Sequence, residues 1–272
     1  MPAPLDLVKE KRGDKISILT PKKLNFDYKT DLSIEYLPFA SKEINYPEQA
    51  TGFISIEELK IYLLGKNALN LKQKSEFVEL EPRIGIEIDK SKKTTKEGKL
   101  YSVKFLRFKK NCGFAVFLDD LNFGNEKGIY FIGGEKRQVF YERKNDINIL
   151  ETNFLNETKK KIQDTKRFKI LLITPSYNDI SKNNIEPQEI KELLKGINPK
   201  FISACIKTEY SGGFDIEKNH PKAIEKLISE GSVFYYELTD ISKTDELFKL
   251  NFSSISSKHK ELGYGKILIG GW

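Results

Sequence analysis

Three glycine clusters, each beside an apolar run, are the residues of this sequence whose types and spacing could do chemistry. Glycine lets backbone N–H groups approach a phosphate closely and adopts a positive φ without steric cost. Ordinary turns use the same residue, so each cluster taken alone is equally well explained as a turn. Together, with basic residues adjacent to two of them, they favour a surface that contacts phosphates. The clusters are residues 133–134 in IGGEKR, 212–213 in YSGGFD, and 263, 265, 270 and 271 in GYGKILIGGW.

Basic and aromatic side chains near these glycines would complete such a surface. Arginine gives a two-pronged donor to phosphate oxygens, and an aromatic ring offers a face on which a base can stack. Contacts of this kind weaken with salt, log K falling by roughly 0.7 per phosphate neutralised on a single strand. The predicted nucleic-acid-binding residues are Arg83, Arg107, Gly133, Gly134, Lys136, Arg137, Gly212, Gly213, Gly263, Tyr264, Gly265 and Lys266.

The sequence contains few candidate catalytic residues. The chain has two histidines, His220 and His259, and neither lies in a known motif. His259 is close enough to the last glycine cluster to touch a phosphate, although a surface position is favoured for both. Cys112 and Cys205 form neither a disulfide framework nor a zinc-ligand spacing, and no nucleophile elbow, P-loop or H-E-x-x-H sequence is present. We therefore expect no enzymatic activity, no metal and no cofactor.

Composition narrows the class of protein. Of the 272 residues, 39% are hydrophobic and 11% aromatic, which excludes a disordered chain. No apolar run approaches the 18 residues of a membrane span, and no signal sequence follows Met1, so we expect a soluble, cytoplasmic protein. The formal charge of +7 comes mostly from lysine and does not by itself indicate nucleic-acid binding.

The elements that must position these residues differ between the two halves. In the first half, Ser55 and Glu58 have the spacing of a capping box and predict a helix that Gly65 ends. Four strand-like runs follow, at residues 83–88, 101–108, 114–118 and 129–132. We expect the basic hairpin tip at residues 90–96 to be mobile, because it has no apolar anchor.

The second half has the order strand, helix, strand, strand, helix, strand. Its apolar runs predict strands at residues 168–174, 201–208, 233–238 and 266–269, and Pro187 is well placed in the first turn of a helix. This order is the split βαβ, ferredoxin-like arrangement, so the fold class is α+β. One face of its sheet would carry helices and the other a ligand. We place the domain boundary in the polar stretch 145–166.

Several segments together resemble one family. They are RIGIEIDKSKKTTKEGKLYSVKFLRF at 83–108, YFIGGEKR at 130–137, SGGFDIEKNHPKAIEKLISEGSVFYYEL at 211–238, ELGYGKILIGGW at 261–272, PAPLDL at 2–7 and TGFISIEELKIYLLG at 51–65. This combination resembles the RAMP superfamily of CRISPR-associated proteins, specifically subunit three of the Cmr-type (type III-B) effector complex. The resemblance extends from residue 2 to residue 272, with Phe214 where the family usually has tryptophan.

The resemblance implies two ferredoxin-like (RRM/RAMP) domains, at residues 1–150 with the inserted hairpin 83–108, and at residues 151–272. It implies a non-catalytic RNA-binding structural subunit in antiviral defence. Its partners would be the 5′ handle of the CRISPR RNA, the large polymerase-like Cas subunit and neighbouring RAMP backbone subunits of the Cmr complex. Family members usually have a strand and a helix before the P-x-P-x-D segment. Here Met1 falls directly on that segment, so we expect the first domain to be N-terminally incomplete.

Three alternatives stay open on the sequence. One is the equivalent subunit of the Csm-type (type III-A) complex, which shares the RAMP fold. Another is a RAMP endoribonuclease that matures CRISPR RNA, which would usually need a histidine base near its N-terminal domain. The third is an α+β interaction domain without an RNA role.

Overall fold

The structure is a computed structural model that describes residues 1–25, 34–67, 69–89, 91–118, 125–132, 137–144, 149–181, 183–215 and 217–272. The α-helices in these ranges are α1 (Ile56–Leu63), α2 (Thr152–Thr165), α3 (Gln188–Leu193) and α4 (Thr244–Phe248). The strands of the first half are β1 (Leu7–Glu10), β2 (Ile16–Ile18), β3 (Thr20–Lys23), β4 (Tyr36–Phe39), β5 (Pro47–Gln49), β6 (Val78–Asp89), β7 (Thr94–Phe108), β8 (Lys127–Ile132) and β9 (Arg137–Glu142). Those of the second half are β10 (Arg167–Leu172), β11 (Lys200–Cys205), β12 (Thr208–Ser211), β13 (Phe214–Asp215), β14 (His220–Pro221), β15 (Glu225–Ile228), β16 (Val233–Glu237) and β17 (Ile267–Gly271).

The chain divides into two compact units. The core unit combines Met1–Gln73 with Glu151–Trp272, and the hairpin unit is Lys74–Leu150. One edge of this division coincides with the predicted boundary near residue 150. The other falls inside the predicted first domain, so residues 1–73 pack with the second half of the chain. The assignment of residues 1–150 and 151–272 to two RAMP domains stays a prediction.

A four-stranded antiparallel sheet organises the core unit. Its order is β11-β16-β10-β17, with β10 paired to both β16 and β17. The four predicted strands of the second half are confirmed, with α3 between β10 and β11 and α4 between β16 and β17. Four short strands, β12 to β15, are inserted between β11 and β16 as two further ladders.

One face of this sheet packs against helices. The buried side chains alternate along each strand, which places one set on this face. Helices α2, α3 and α4 contribute Ile162, Ile190 and Leu247 to the same cluster. The strand residues of the cluster are Phe168, Ile170, Leu172, Phe234, Tyr236, Ile267 and Ile269.

The opposite face of the sheet is not free for a ligand, which corrects the expectation from the sequence. Lys169 of β10 and Tyr235 of β16 lie on this face and are fully buried. The N-terminal segment and α1 cover them, since the Tyr235 hydroxyl donates to Asp6 Oδ2 at 2.7 Å and the Tyr62 hydroxyl donates to Asp6 Oδ1 at 2.8 Å.

These four side chains, Asp6, Tyr62, Lys169 and Tyr235, form the buried cluster. Lys169 Nζ lies 3.7 Å from Asp6 Oδ2, too long for a hydrogen bond, and 3.4 Å from the centre of the Tyr62 ring. Burial lowers the pKa of the Lys169 ammonium to about 8, although the Asp6 carboxylate opposes the shift. Burial likewise raises the pKa of the Tyr62 and Tyr235 hydroxyls. The cluster ties residues 1–19 to the sheet by charge and hydrogen bonding.

Helix α1 begins as the sequence predicts. The Ser55 side chain accepts a hydrogen bond from Glu58 N at 3.2 Å, which caps the helix. Leu59, Tyr62 and Leu63 are buried. The three-stranded sheet β2-β1-β5 precedes the helix, with β1 paired on both sides.

The polar stretch 145–166 contains a core helix rather than a simple linker. Phe154, Thr158 and Ile162 of α2 are buried, and the interval of four residues places them on one side. The buried positions form a narrow stripe along the helix, and most residues between them are charged or polar. The helical periodicity of the sequence is therefore weak in this stretch.

The hairpin unit consists of two antiparallel hairpins, β6-β7 and β8-β9. The first is longer than predicted, and its described tip residues are exposed. The mobility of this tip stays a prediction. The predicted strand at residues 114–118 is wrong. The segment has no strand conformation, and no neighbouring strand pairs with it among the described residues. Its apolar side chains, such as Phe114 and Val116, are 48–75% exposed.

Trp272 closes the sheet at β10 and β16. Its indole Nε1 donates to Phe168 O at 2.8 Å, and its ring packs edge-on against Tyr235. The Arg167 guanidinium lies 4.8 Å from the centre of the ring. Within the described ranges, no helix has the length and apolar character needed to cross a lipid bilayer.

Candidate nucleic-acid interface

Register in the β6-β7 hairpin places charged and aromatic side chains on one face. Residues directly opposite in an antiparallel pair share a face. Glu79 pairs with Arg107, Glu81 with Phe105, and Arg83 with Val103, so these residues line one side of the hairpin.

Three predicted arginines converge on this face and form the arginine cluster, Arg83, Arg107 and Arg137. The Arg83 guanidinium contacts Glu81 Oε1 at 2.7 Å through Nη2 and at 2.9 Å through Nε. The Phe105 ring lies 5.1 Å from the Arg83 guanidinium carbon and 4.4 Å from that of Arg137. Arginine against an aromatic ring is a favourable arrangement that leaves N–H groups at the guanidinium edge for a phosphate.

The Glu81 carboxylate lies at the centre of this positive field. Its pKa is lowered, chiefly by the hydrogen bond from Arg83, then by the charges of Arg83, Arg107 and Arg137. Sequence reasoning named the arginines but missed Glu81 and Phe105. The alternation of Glu79, Glu81 and Arg83 along one strand was the pattern that could have revealed them.

The glycine cluster between β8 and β9 lies largely outside the described residues. Gly133, Gly134 and Lys136 are not described, whereas Arg137 is the first residue of β9. The contribution of the first three to binding therefore stays a prediction.

The glycine loop of the core unit, residues 263–266, uses its backbone internally. Gly263 N donates to Lys260 O at 3.0 Å, Gly265 N to Pro175 O at 2.8 Å, and Lys266 N to Thr174 Oγ1 at 2.9 Å. Because these donors are occupied, they are not available to a phosphate, and the expectation of open glycine N–H groups is wrong for this loop. Phosphate binding here would rest on the side chains of Tyr264 and Lys266.

The glycines of the loop serve its conformation and packing instead. Gly263 and Gly265 have φ of +85° and +74°. A Cβ on Gly265 would lie 2.8 Å from Ser256 Cβ and 2.9 Å from Ser176 Oγ, so no larger residue fits without displacement of its neighbours.

An aromatic cluster flanks the glycine loop. The rings of Tyr177 and Tyr264 lie 5.0 Å apart, and the His259 imidazole lies 5.3 Å from Tyr177. Hydrogen bonding to Tyr177 is the main reason that the pKa of the half-buried Tyr264 hydroxyl is raised. Tyr177 is buried, whereas the His259 side chain is 46% exposed, in the surface position that the sequence favours. The role of Tyr264 in RNA binding stays a prediction.

The YSGGFD cluster is open. Gly212 and Gly213 are exposed, and a Cβ on Gly213 would meet nothing within 4 Å. The neighbouring Tyr210 and Phe214 rings are 72% and 54% exposed. Sequence reasoning selected the glycines and overlooked these rings, which are the groups that could stack on bases.

His220 is exposed in the short strand β14, and its Nδ1 lies 2.7 Å from Pro221 O. Within the described ranges, no group of three or more His, Cys, Asp or Glu side chains is arranged to hold a metal ion.

A family model and a curated relative of this chain point to the same family. A family model described as CRISPR-associated protein (Cas_Cmr3) matches residues 1–272. The CRISPR system CMR subunit Cmr3 of Saccharolobus solfataricus is 27% identical over 199 residues, 71% of this chain and 55% of the relative. The chain thus aligns with about half the length of that curated relative.

Two solved structures are also similar. One is a cryo-EM structure of the Type III-B Cmr-beta bound to cognate target RNA, with 18% identity and a TM-score of 0.39 over 86% of this chain and 64% of that one. The other has AMPPNP in addition, with 18% identity and a TM-score of 0.40 over 98% of this chain and 74% of that one.

Proposed function

The chain belongs to the Cas_Cmr3 family of CRISPR-associated proteins, and from this membership we propose that it is a non-catalytic, RNA-binding structural subunit of a type III-B effector ribonucleoprotein. In this role it binds the 5′ handle of the CRISPR RNA and docks the large polymerase-like Cas subunit. Its neighbours are the RAMP backbone subunits, and the assembly acts in antiviral defence. The Cmr-type family match favours this assignment over the Csm-type alternative.

The arginine cluster is the observation that carries the RNA-binding part of the proposal. Arg83 and Arg137 both lie within 5.1 Å of the Phe105 ring, and Arg107 belongs to the same face of the hairpin. Guanidinium groups around an aromatic ring suit a single-stranded nucleic acid, because they pair with phosphates while the ring supports a base.

The apolar side chains of the hairpin unit support the docking part. Leu80, Ile84 and Ile86 lie on the face opposite the arginine cluster and are 50–71% exposed. Across the ladder, Leu80 pairs with Leu106 and Ile86 with Leu100, both also exposed. An apolar face is not a binding surface for phosphates, but it can pack against the apolar surface of another protein. This face therefore packs on a neighbouring protein subunit while the charged face binds RNA.

The strand order of the core unit supports the assignment of a ferredoxin-like RAMP domain to residues 151–272. Its sheet has the order β11-β16-β10-β17, with α3 after β10 and α4 after β16 in sequence, as in a split βαβ arrangement. Residues 1–150 are proposed as the other RAMP domain on the family resemblance alone.

The experiment measures binding of a repeat-derived 5′ handle RNA to the full chain at several salt concentrations. The variant R107A/R137A is compared with K195A/K249A, which removes the same charge from exposed sites of the core unit. We expect the arginine variant to bind about tenfold more weakly. The slope of its log K against log salt should become shallower by about 0.7 for each phosphate that the variant no longer neutralises. The lysine variant should keep most of the affinity and slope.

Three results would count against the proposal. Site-specific cleavage of repeat RNA by the purified protein would indicate a RAMP endoribonuclease. Equal salt slopes for the wild type and a correctly folded R107A/R137A would show that the arginine cluster is only solvated, and an affinity that does not depend on salt at all would indicate an interaction domain without an RNA role.

A further inference from the structure

A cleft in the core unit has no part in the RNA-binding proposal. Its volume is about 600 Å³, and its lining comes from residues 2–5, 49–52, 205–209 and 229–230. Backbone hydrogen bonds hold its walls in place, from Ala3 N to Gly52 O at 3.0 Å and from Leu5 N to Gly231 O at 2.8 Å. The cleft is therefore formed before any ligand arrives.

Ser229 is an unpartnered polar group in this cleft. The residue is 5% exposed, and its Oγ has no hydrogen-bond partner among the described residues. A buried hydroxyl without a partner costs free energy, which an incoming hydrogen-bonding group would recover. Its own backbone is satisfied, since Ser229 N donates to Lys207 O at 2.9 Å. The Ser229 hydroxyl is thus the enclosed polar group of the lining that lacks a hydrogen-bond partner.

The charged side chains that line the cleft favour a positively charged ligand. Glu209 and Glu230 line it together with one cation, Lys207. Neither carboxylate forms an ion pair with a residue that the structure describes, although the chain carries seven more positive than negative charges. Two free carboxylates repel phosphate and attract a cation. An RNA backbone is therefore disfavoured in this cleft.

We propose that the cleft binds an arginine side chain carried on an extended segment of a partner protein. A guanidinium group has five N–H donors in a fixed fork, enough to pair with Glu209 and Glu230 and to donate to Ser229 Oγ. The cleft is too large for an ammonium group alone, and its volume accommodates the neighbouring backbone of a peptide. The inference goes beyond the proposed function, because it requires a protein ligand and no RNA.

The test uses two peptides that differ in charge and not in shape. Acetylated and amidated Gly-Arg-Gly-Arg-Gly is titrated calorimetrically into the full chain, and the same peptide with citrulline in place of arginine is the control. We expect the arginine peptide to bind about tenfold more tightly, because only the guanidinium forms charged pairs.

Variants then assign the binding to the cleft. E209Q/E230Q should lose about tenfold in affinity for the arginine peptide, and the matched pair E217Q/E237Q, which removes the same charge at other sites of the core unit, should lose little. S229A should lose severalfold. Because the Ser229 hydroxyl has no partner to leave behind, S229A is expected to fold normally, as checked by circular dichroism.

Alkylation of a cysteine introduced at Thr51, an exposed residue that lines the cleft, gives an independent readout. In a Thr51→Cys variant that also carries Cys112→Ser and Cys205→Ser, the arginine peptide should slow the reaction with N-ethylmaleimide, and the citrulline peptide should not. Equal affinity for the two peptides would overturn the proposal, as would equal losses in the two glutamine pairs. Protection of the Thr51→Cys thiol by a uridine hexanucleotide without protection by the peptide would assign the cleft to RNA instead.

Discussion

The core unit and the hairpin unit bury their side chains in opposite ways. Every buried hydrophobic side chain among the described residues belongs to the core unit, and the described part of residues 74–150 contributes none. Of the 25 large hydrophobic side chains that are exposed in the described ranges, 17 lie in the hairpin unit, including Leu80, Ile84 and Phe131. Isolated two-stranded hairpins are marginally stable in water. The core unit therefore has the apolar core that a stable fold needs, whereas the described part of the hairpin unit buries no comparable set of side chains.

The largest expected effect comes from the buried cluster. Asp6→Ala removes the partner of Lys169 and of two tyrosine hydroxyls, and should cost about 3–5 kcal/mol of unfolding free energy because it leaves a buried charge uncompensated. Urea unfolding followed by circular dichroism measures the loss. Glu81→Ala is the matched change in the hairpin unit, where the carboxylate is partly exposed to solvent. That variant should unfold like the wild type. Equal effects would erase the contrast between the units.

A second contrast uses two glycines of the same conformation. Gly265 of the core unit has φ of +74°, and Gly98 of the hairpin unit has φ of +73°. An alanine at either position introduces about 1 kcal/mol of backbone strain. At Gly265 the new Cβ also meets Ser256, whereas at Gly98 it meets nothing within 4 Å.

We therefore expect Gly265→Ala to lose a further ~1–3 kcal/mol from overpacking, measured by urea unfolding. Gly98→Ala should show only the strain, measured by amide hydrogen exchange along β6 and β7. If Gly98→Ala lowered the stability as much as Gly265→Ala does, the hairpin tip would have to be packed against other residues.

The buried Lys169 predicts a stability that rises with pH. Its pKa is about 8 in the folded protein and near 10.5 when exposed. Between these values the unfolded chain binds more protons than the folded one, so unfolding becomes less favourable as the pH increases, by at most about 1.4 kcal/mol per pH unit. Below pH 8 the ammonium is charged in both states, and the cost of burying it is fully present.

The comparison of wild type with Lys169→Met between pH 7 and 9 isolates this effect. Cys205 works in the opposite direction above pH 9, because burial raises the pKa of its thiol, so the comparison ends at pH 9. Asp6, Tyr62, Tyr235 and Lys161 are the other titratable groups that act on Lys169 or its partner. If the two proteins show the same pH dependence, then Lys169 does not titrate in this range.

The smallest expected effect concerns RNA and rests on the proposed function. Glu81 accepts hydrogen bonds from Arg83 and competes with phosphates for the arginine cluster. Glu81→Gln should therefore raise the affinity for the 5′ handle RNA by about threefold, measured by filter binding. Glu97→Gln, on the same hairpin, controls for the change in net charge. A loss of affinity in Glu81→Gln would show that the carboxylate orients Arg83 instead.

The parts of the fold that can be predicted are those that follow from a local pattern of residue types in the sequence. The strands β10, β11, β16 and β17 follow from uninterrupted apolar runs, and α1 from the spacing of Ser55 and Glu58. Arg83, Arg107 and Arg137 were selected one by one from their positions beside strand ends. The approach of Arg83 and Arg137 to the Phe105 ring depends on the register of β6 against β7 and on the position of β9, which no local pattern contains.

What escaped prediction depends on contacts between distant segments. Asp6 and Lys169 are separated by more than 160 residues, and each by itself reads as an ordinary surface charge. The burial of the second sheet face follows from that contact. The occupied N–H groups of the glycine loop likewise depend on Pro175 and Thr174, far from Gly265 in sequence.

The position of Trp272 has a consequence for watching the protein unfold. It is the single tryptophan of the sequence, and its indole donates to Phe168 O and Tyr236 O in the middle of the core unit's sheet. Its fluorescence therefore reports on the core unit alone, because the hairpin unit contains no tryptophan. A hairpin unit that orders only on its partners would leave this emission unchanged while hydrogen exchange along β6 and β7 slows. The molecule thus carries an intrinsic optical probe that separates the two behaviours in one sample.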